Sequence, residues 1–408
     1  MPSARNLRIA FATPEYVTEK RFDCGLATYI HRVGRALAGM GHEIHVVTLA
    51  DTDSEFEHEG IRVHRIKVAK IWLNLNRITR YRLATSIFLL GLSAGVYRKL
   101  RELNRRQPLD LVQFPFCRYS GLVSMLFLRV PHVIRASWYE AAWNDLTNTT
   151  PGMDARIVGA LEQFQLRFSP HFCTPSGVLQ RTLTERAGLK DVRVIPSPCY
   201  VETSEWDQSK YDESLSGKTY LLFFGRFEMR KGFHVLCQAL PRFLERHAGA
   251  YAVLVGRDLA SPLAPSMAEY ARSLLSDYGD RVLILDRLSH ARLYPIIEGA
   301  HLVVLPSLMD NLPNACLEAM ALGKVVLGTR GASFEEMISD GETGFLVAPN
   351  SVDELAEKIS AAWTDPRLGT IGRAARKKAL DFAPEHTVET LLAYYQEVLN
   401  GSGKSRGT

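Results

Sequence analysis

Read as a pattern of apolar and polar positions, the chain alternates short apolar runs with amphipathic stretches, and does so twice. The first series holds "LRIAFAT" (7–13), a glycine-bearing loop and the helical "LATYIHRVGRALAGMG" (26–41). It continues with "EIHVVTLA" (43–50), "IRVHRIKV" (61–68), a long helical pattern near 78–104, "LDLVQF" (109–114) and "HVIRAS" (132–137). Apolar runs of four to eight residues separated by helices predict parallel strands buried on both faces. The stretch 196–218 is polar and turn-rich, as linkers are. The pattern then restarts with "TYLLFFG", "YAVLVG", "RVLILD", "HLVVLP", "KVVLGT" and "GFLVA", each but the last followed by a helical pattern or a turn.

These elements predict an α/β protein of two doubly wound units: 1–200, 201–385, and a C-terminal helix and tail, 386–408, packing back toward the first domain. The length of 408 residues agrees, because single cores stop growing at roughly 250 to 300 residues. Ligands of doubly wound sheets sit beyond the carboxyl ends of the strands. The polar clusters are therefore expected at those ends, and the two units are expected to face a central cleft.

Composition changes this picture little. The six cysteines form no C-x-x-C pair and read as reduced thiols in a cytoplasmic protein. The longest apolar stretch, 83–97, is shorter than the roughly 20 residues a spanning helix needs. Charge does change it. Between Ile61 and Arg106 stand twelve basic residues, opposed only by Glu102 and interleaved with Ile71, Trp72, Leu73, Ile78, Ile87, Phe88 and Leu89. That bias points to an anionic partner, and the apolar interleaving favours the inner face of a membrane over nucleic acid.

The candidate chemistry lies in two loops of the second half. In "LLFFGRFEMRKGFHVL" (221–236), Gly225 ends a strand and Arg226, Arg230 and Lys231 precede a helix. Cations beside a helix N-terminus suit a phosphate. In "PSLMDNLPNACLEAMALGKVV" (306–326), Asp310, Asn311 and Asn314 crowd a strand–helix join, and Glu318 interrupts an apolar helix. Asn311, Pro313 and Asn314 are good helix-start residues, so capping explains part of this polarity. Glu318 lies too deep for a cap, and a buried carboxylate is costly without a partner such as a vicinal diol. "DTD" (51–53) reads as a polar turn and not a metal site, and His290 as an ordinary helix-start residue. No G-x-G-x-x-G follows the first strand, which argues against an NAD enzyme.

"GRFEMRKG", the spacing from Asp310 to Glu318, and "GTRGASFEEMISDGETGFLV" together resemble the donor half of the family-4 retaining glycosyltransferases of the GT-B fold. "GLATYIHRVGRALAGMGHEIHVVT" resembles that family's opening loop, helix and second strand. The resemblance implies that Arg226 and Lys231 hold the donor diphosphate and that Glu318 binds the nucleotide ribose. It places Asp310, with the backbone of Asn311, Leu312 and Asn314, on the donor sugar. Gly25 and Gly225 let their loops approach the donor, and Arg287 and Leu288 offer backbone groups to the base. Gly331 and Glu335 form a structural loop.

Three departures stand out: Asp310 where the family has Glu, Cys24 where it has a first glycine, and Arg135, Ala136 and Ser137 where many members carry a histidine. The implied activity is metal-independent, retaining transfer from a UDP-, GDP- or ADP-sugar to a hydroxyl acceptor, either lipid-linked or a glycan or exopolysaccharide intermediate. No cofactor is expected. The alternatives are a GT-B epimerase or phosphorylase, or an inactive nucleotide-sugar-binding protein.

Overall fold

A computed structural model of the chain describes residues 5–19, 25–139, 151–201 and 206–404. They divide into two compact units, one formed by 1–198 with 384–408 and the other by Cys199–Ala383.

The first unit is built on an eight-stranded sheet in the order β3-β4-β2-β1-β5-β6-β7-β8. Its strands are β1 (Arg8–Thr13), β2 (Glu43–Leu49), β3 (Ser54–His58), β4 (Ile61–Ile66), β5 (Leu111–Pro115), β6 (His132–Arg135), β7 (Phe172–Thr174) and β8 (Val192–Val194). All pairings are parallel except β3 with β4, a hairpin at the edge. Every position of β1 and β5 is buried, as both-face coverage requires. The C-terminal helix Pro384–Lys404 packs on this unit: the Tyr394 hydroxyl donates to the Phe172 carbonyl at 3.1 Å, and that of Tyr395 to Gln113 Oε1 at 2.6 Å.

The second unit has six parallel strands in the order β11-β10-β9-β12-β13-β14. They are β9 (Thr219–Phe224), β10 (Ala250–Val255), β11 (Val282–Leu285), β12 (Leu302–Leu305), β13 (Val326–Thr329) and β14 (Phe345–Val347). Strand order reverses between β9 and β12, which pair through Leu302–Leu221 and Val303–Leu222. In doubly wound sheets the crevice beyond such a reversal is where ligands bind.

Two expectations need correction, and one strand was not expected. The long helical pattern near 78–104 is two helices, Lys70–Ile78 and Ala84–Arg106. They are separated by a turn in which Arg80 (φ 50°) and Tyr81 (φ 61°) are left-handed. The antiparallel strand β3, "SEFEH", carries no apolar run because it is a half-exposed edge. The charge count of the 61–106 region is also smaller in effect than in sequence. Arg62 pairs with Glu43 at 2.7 Å, Arg65 with Glu19 at 2.8 Å, Lys99 with Glu55 and Glu102 at 2.9 Å each, and Arg106 with Glu102.

Candidate active site

The loops after β9 and β12 lie at the reversal point of the second sheet, and the sequence shows why they run so close. Gly232, between the first loop and the helix Phe233–Arg246, has φ +65°. A Cβ there would lie 1.8 Å from the carbonyl oxygen of Pro306. Gly256 is equally tight: its Cβ would lie 1.7 Å from the carbonyl oxygen of Gly225, itself at φ +144°. Only glycine permits either approach. The Leu308 N–H then donates to the Arg230 carbonyl at 2.9 Å, tying the two loops together.

Between these fixed points the charged groups interlock. Glu228 accepts from Arg230 at 2.8 Å and lies 3.2 Å from Arg226. Lys231 crosses to the other loop and pairs with Asp310. The Asp310 carboxylate also accepts from the Asn311 N–H at 3.1 Å and the Ser307 hydroxyl at 3.5 Å. Burial raises the pKa of Asp310, but Lys231 and Arg230 outweigh it and hold the carboxyl below its usual range. Burial pulls the Lys231 ammonium below its ordinary value, with Arg230 and Arg226 adding to it against the attraction of Asp310. The result is three cations and two carboxylates, with Arg226 the most exposed cation of the group at 37%.

The Asp310 loop is propped from behind. Its backbone carbonyl accepts from the Ser333 hydroxyl at 3.1 Å, and Ser333 is left-handed at φ 62°. The Ser333 loop is itself tightened by the Gly331 N–H, which donates to Glu335 Oε1 at 2.6 Å. Leu312, at φ 152° with its side chain buried, lies in a region that L-residues rarely adopt. The capping expectation fails here. The helix Asn314–Ala321 has Pro313 as its N-cap and no side-chain cap hydrogen bond, so Asn314 is the first helical residue and not the cap.

Glu318 is buried within that helix, 5% exposed. Its Oε1 lies 3.9 Å from Nε2 of His290. His290 opens the helix His290–Gly299 and stacks on Tyr294 at 5.2 Å. Nothing in the sequence pairs His290 with a carboxylate 28 positions away. Glu228 was likewise missed, although its place among three cations in "GRFEMRKG" was a usable signal.

The remaining expected residues are spread more widely. Arg287 and Leu288 follow β11, two strands from β9; the Arg287 N–H donates to Asp286 Oδ1 at 2.7 Å, and Leu288 packs against the core. Gly25 belongs to the first unit, where it opens the helix Gly25–Gly39, and Cys24 lies outside the described residues. Arg135, at the end of β6, is a core residue. It lies 3.7 Å from the Tyr29 ring and donates to the Ile195 carbonyl and the Ser197 hydroxyl at 3.0 Å each. His132 begins β6, at the opposite end of the strand, where its Nε2 is 3.1 Å from the Phe168 carbonyl.

Two family patterns match the chain: "Glycosyltransferase Family 4" over residues 24–202 and "Glycosyl transferases group 1" over 218–365. A glycogen synthase of Mycobacterium tuberculosis is 25% identical over 389 residues, 90% of each chain. Among solved structures, a sucrose-phosphate synthase from Thermosynechococcus elongatus superposes with a TM-score of 0.75 at 18% identity, covering 97% of this chain and 100% of its own. HepE from Anabaena, solved in complex with UDP and glucose, superposes with a TM-score of 0.70 at 18% identity, over 96% and 100%. With two doubly wound parallel sheets, and both family patterns falling on them in order, the chain belongs to the family-4 glycosyltransferases of the GT-B fold.

Proposed function

We propose that the protein transfers a sugar from a nucleotide-sugar to a hydroxyl acceptor with retention at the anomeric carbon and without a metal. The observation that carries this reading is the Lys231–Asp310 pair, set with Arg226 and Arg230 where the strand order of the second sheet reverses. A diphosphate taken up there would meet Arg226 and compete with Asp310 for Lys231. Charge growing on it as the sugar–oxygen bond breaks would be stabilised by groups already in place. Asp310, with the backbone from Asn311 to Asn314, would hold the sugar, and Glu318 would accept from both ribose hydroxyls. Gly225, Arg287 and Leu288 would contribute backbone approach. The acceptor hydroxyl, attacking on the face the diphosphate leaves, would pass its proton to a phosphate oxygen of the departing group. No protein base is then required. The HepE complex with UDP and glucose supports a UDP-sugar as the first donor to try.

The acceptor belongs to the first unit in this reading, and one surface there points to lipid. Along the helix Lys70–Ile78, Ile71, Leu75 and Ile78 are exposed by 66%, 37% and 77%, at i, i+4 and i+7. Tyr81 follows at 63%. Lys70, Arg77, Arg80 and Arg82 are exposed along the same stretch, whereas Trp72 packs against Gly91. Among the described residues no helix is long and apolar enough to cross a membrane. An apolar line flanked by cations fits the surface of an anionic bilayer, where each cation contributes on the order of 1 kcal/mol.

The test is a panel of UDP-, GDP- and ADP-sugars with lipid-linked and soluble acceptors, in chelator, with the product anomer read by NMR. Retention of configuration in chelator is expected. An inverted product, a strict need for Mg²⁺ or Mn²⁺, or a new nucleotide-sugar formed without acceptor would overturn the proposal.

A further inference from the structure

Among the described residues, one cluster of imidazoles and carboxylate has a geometry the transfer chemistry does not use. It lies in the first unit, where the helix Gly25–Gly39 meets the β3–β4 hairpin. His31 comes from the helix, His58 ends β3, and Glu59 opens the turn. One ligand atom from each lies within 4.8 Å of the other two. The Glu59 carboxylate oxygens are 3.6 Å from His31 Nε2 and 3.8 Å from His58 Nε2. Tetrahedral zinc, with bonds of about 2.0–2.1 Å, sets its ligand atoms about 3.4 Å apart. The two separations, one from each carboxylate oxygen, are within a few tenths of an ångström of that.

Two further features favour a metal over a plain surface ion pair. The first is the orientation of His31. Its Nδ1 lies 3.2 Å from the hydroxyl of Tyr16, whose side chain is fully buried and whose ring meets both imidazoles edge-on. An Nδ1–H donated to Tyr16 leaves the Nε2 lone pair aimed at Glu59, the outer hydrogen bond that metal-bound histidines characteristically make. The second is the turn. Glu59 (φ 48°) and Gly60 (φ 76°) are both left-handed, as a two-residue hairpin of this type requires. Asn or Gly is the usual first residue; Glu there is disfavoured locally but brings a carboxylate to the two rings.

We propose that His31, His58 and Glu59 form a zinc site, with water completing the tetrahedron, that ties the hairpin turn to the helix Gly25–Gly39. Two imidazoles and one carboxylate suit Zn²⁺ better than Mg²⁺ or Ca²⁺, which take oxygen ligands. The opposing charges are Arg32, buried nearby, and Arg35, whose Nε lies 3.3 Å from Glu59 Oε2. The Arg35 side chain is 45% exposed and can turn to water when the metal enters.

The experiment is calorimetric titration of chelator-stripped full-length protein with Zn²⁺, with Co²⁺ absorption as a coordination signature. One equivalent is expected to bind with micromolar affinity and to give visible bands for tetrahedral Co²⁺. His58→Ala, at the end of β3, and Glu59→Gln, at the exposed turn, should each weaken binding at least tenfold and abolish those bands. Tyr16→Phe should weaken it about tenfold through His31 alone. Arg35→Ala should tighten it, and His386→Ala, an exposed control, should leave it unchanged. Zinc-free melts of each variant check that the fold is intact. No binding by wild type, or equal binding by wild type, His58→Ala and Glu59→Gln, would overturn the site.

Discussion

Replacing Lys231 with alanine removes two things at once, and the structure allows them to be separated. Lys231 is the partner of Asp310, and their side chains are only 20% and 12% exposed. Removing one member of a buried pair leaves the other charge uncompensated, at a cost of 3–5 kcal/mol. The Asn311 N–H and nearby Arg230 remain to soften that cost, so the lower end, about 3 kcal/mol, is expected. For a unit of this size each kcal/mol lowers the melting temperature by roughly 2–4 °C, giving a drop of roughly 6–12 °C. Loss of one charge-stabilising group should separately cut turnover by roughly two orders of magnitude. The variant Lys231→Ala/Asp310→Asn, which removes both charges, should recover most of the melting temperature and none of the activity. The assay is a thermal melt beside initial rates of sugar transfer at saturating donor. If Lys231→Ala both melts and turns over like wild type, the pair is a surface contact and the diphosphate assignment fails. If the double variant regains activity, Lys231 acts only by neutralising Asp310.

Three other outcomes follow from particular residues. Glu318→Gln should keep its fold but lose about tenfold in donor affinity by calorimetry, because an amide cannot accept both ribose hydroxyls as a carboxylate does; an unchanged affinity would make Glu318 structural. Ile78→Asp, at the most exposed end of the apolar line, should lower recovery on anionic vesicles at least tenfold at low salt, since burying such a side chain contributes about 1.5–3 kcal/mol; equal recovery on neutral and anionic vesicles would remove the lipid surface. The first unit should lose stability in mild acid. His45, held by His64 and Glu43 at 2.9 Å each, has its pKa pushed down to about 4, chiefly by burial and then by Arg8. A histidine that protonates near 6.5 when unfolded and near 4 when folded leaves stability intact above 6.5. It then removes roughly 3 kcal/mol as pH falls across that window. His45→Gln should flatten the slope, and a wild-type melt that is flat between pH 6.5 and 4 would contradict it.

The parallel strands were legible because burial on both faces writes itself as an uninterrupted apolar run. Those that escaped lack that signature. Strand β3 alternates charge with half-buried positions at an edge, and β7 and β8, "FCT" and "VRV", are three residues each. The break between the helices Lys70–Ile78 and Ala84–Arg106 falls on Arg80 and Tyr81, with no glycine or proline to announce it. The polarity before Glu318 was visible but its role was not. Helix-start residues suggested capping, whereas Asp310 is engaged by Lys231, 79 positions earlier.

That contrast extends to the two units. In the second, much of the special geometry is a matter of backbone: an added Cβ at Gly232 or Gly256 would lie 1.8 or 1.7 Å from a carbonyl oxygen, and Gly225 takes φ +144°. A glycine so constrained sits at a fixed step from its strand, so this part of the site can be read locally along the chain, whereas the Lys231–Asp310 and His290–Glu318 approaches cannot. In the first unit the special features are side-chain meetings between distant residues: His31 with Glu59, His45 with His64, Arg135 with Tyr29. No local pattern announces these pairings, and only the fold of the unit brings the members of each pair together. Strands β2 and β4 are neighbours, which stacks His45 on His64, and the β3–β4 hairpin delivers Glu59 to the helix carrying His31. Chemistry specified by topology in this way is silent in a linear reading, so the first unit is where unassigned function in this chain should be sought.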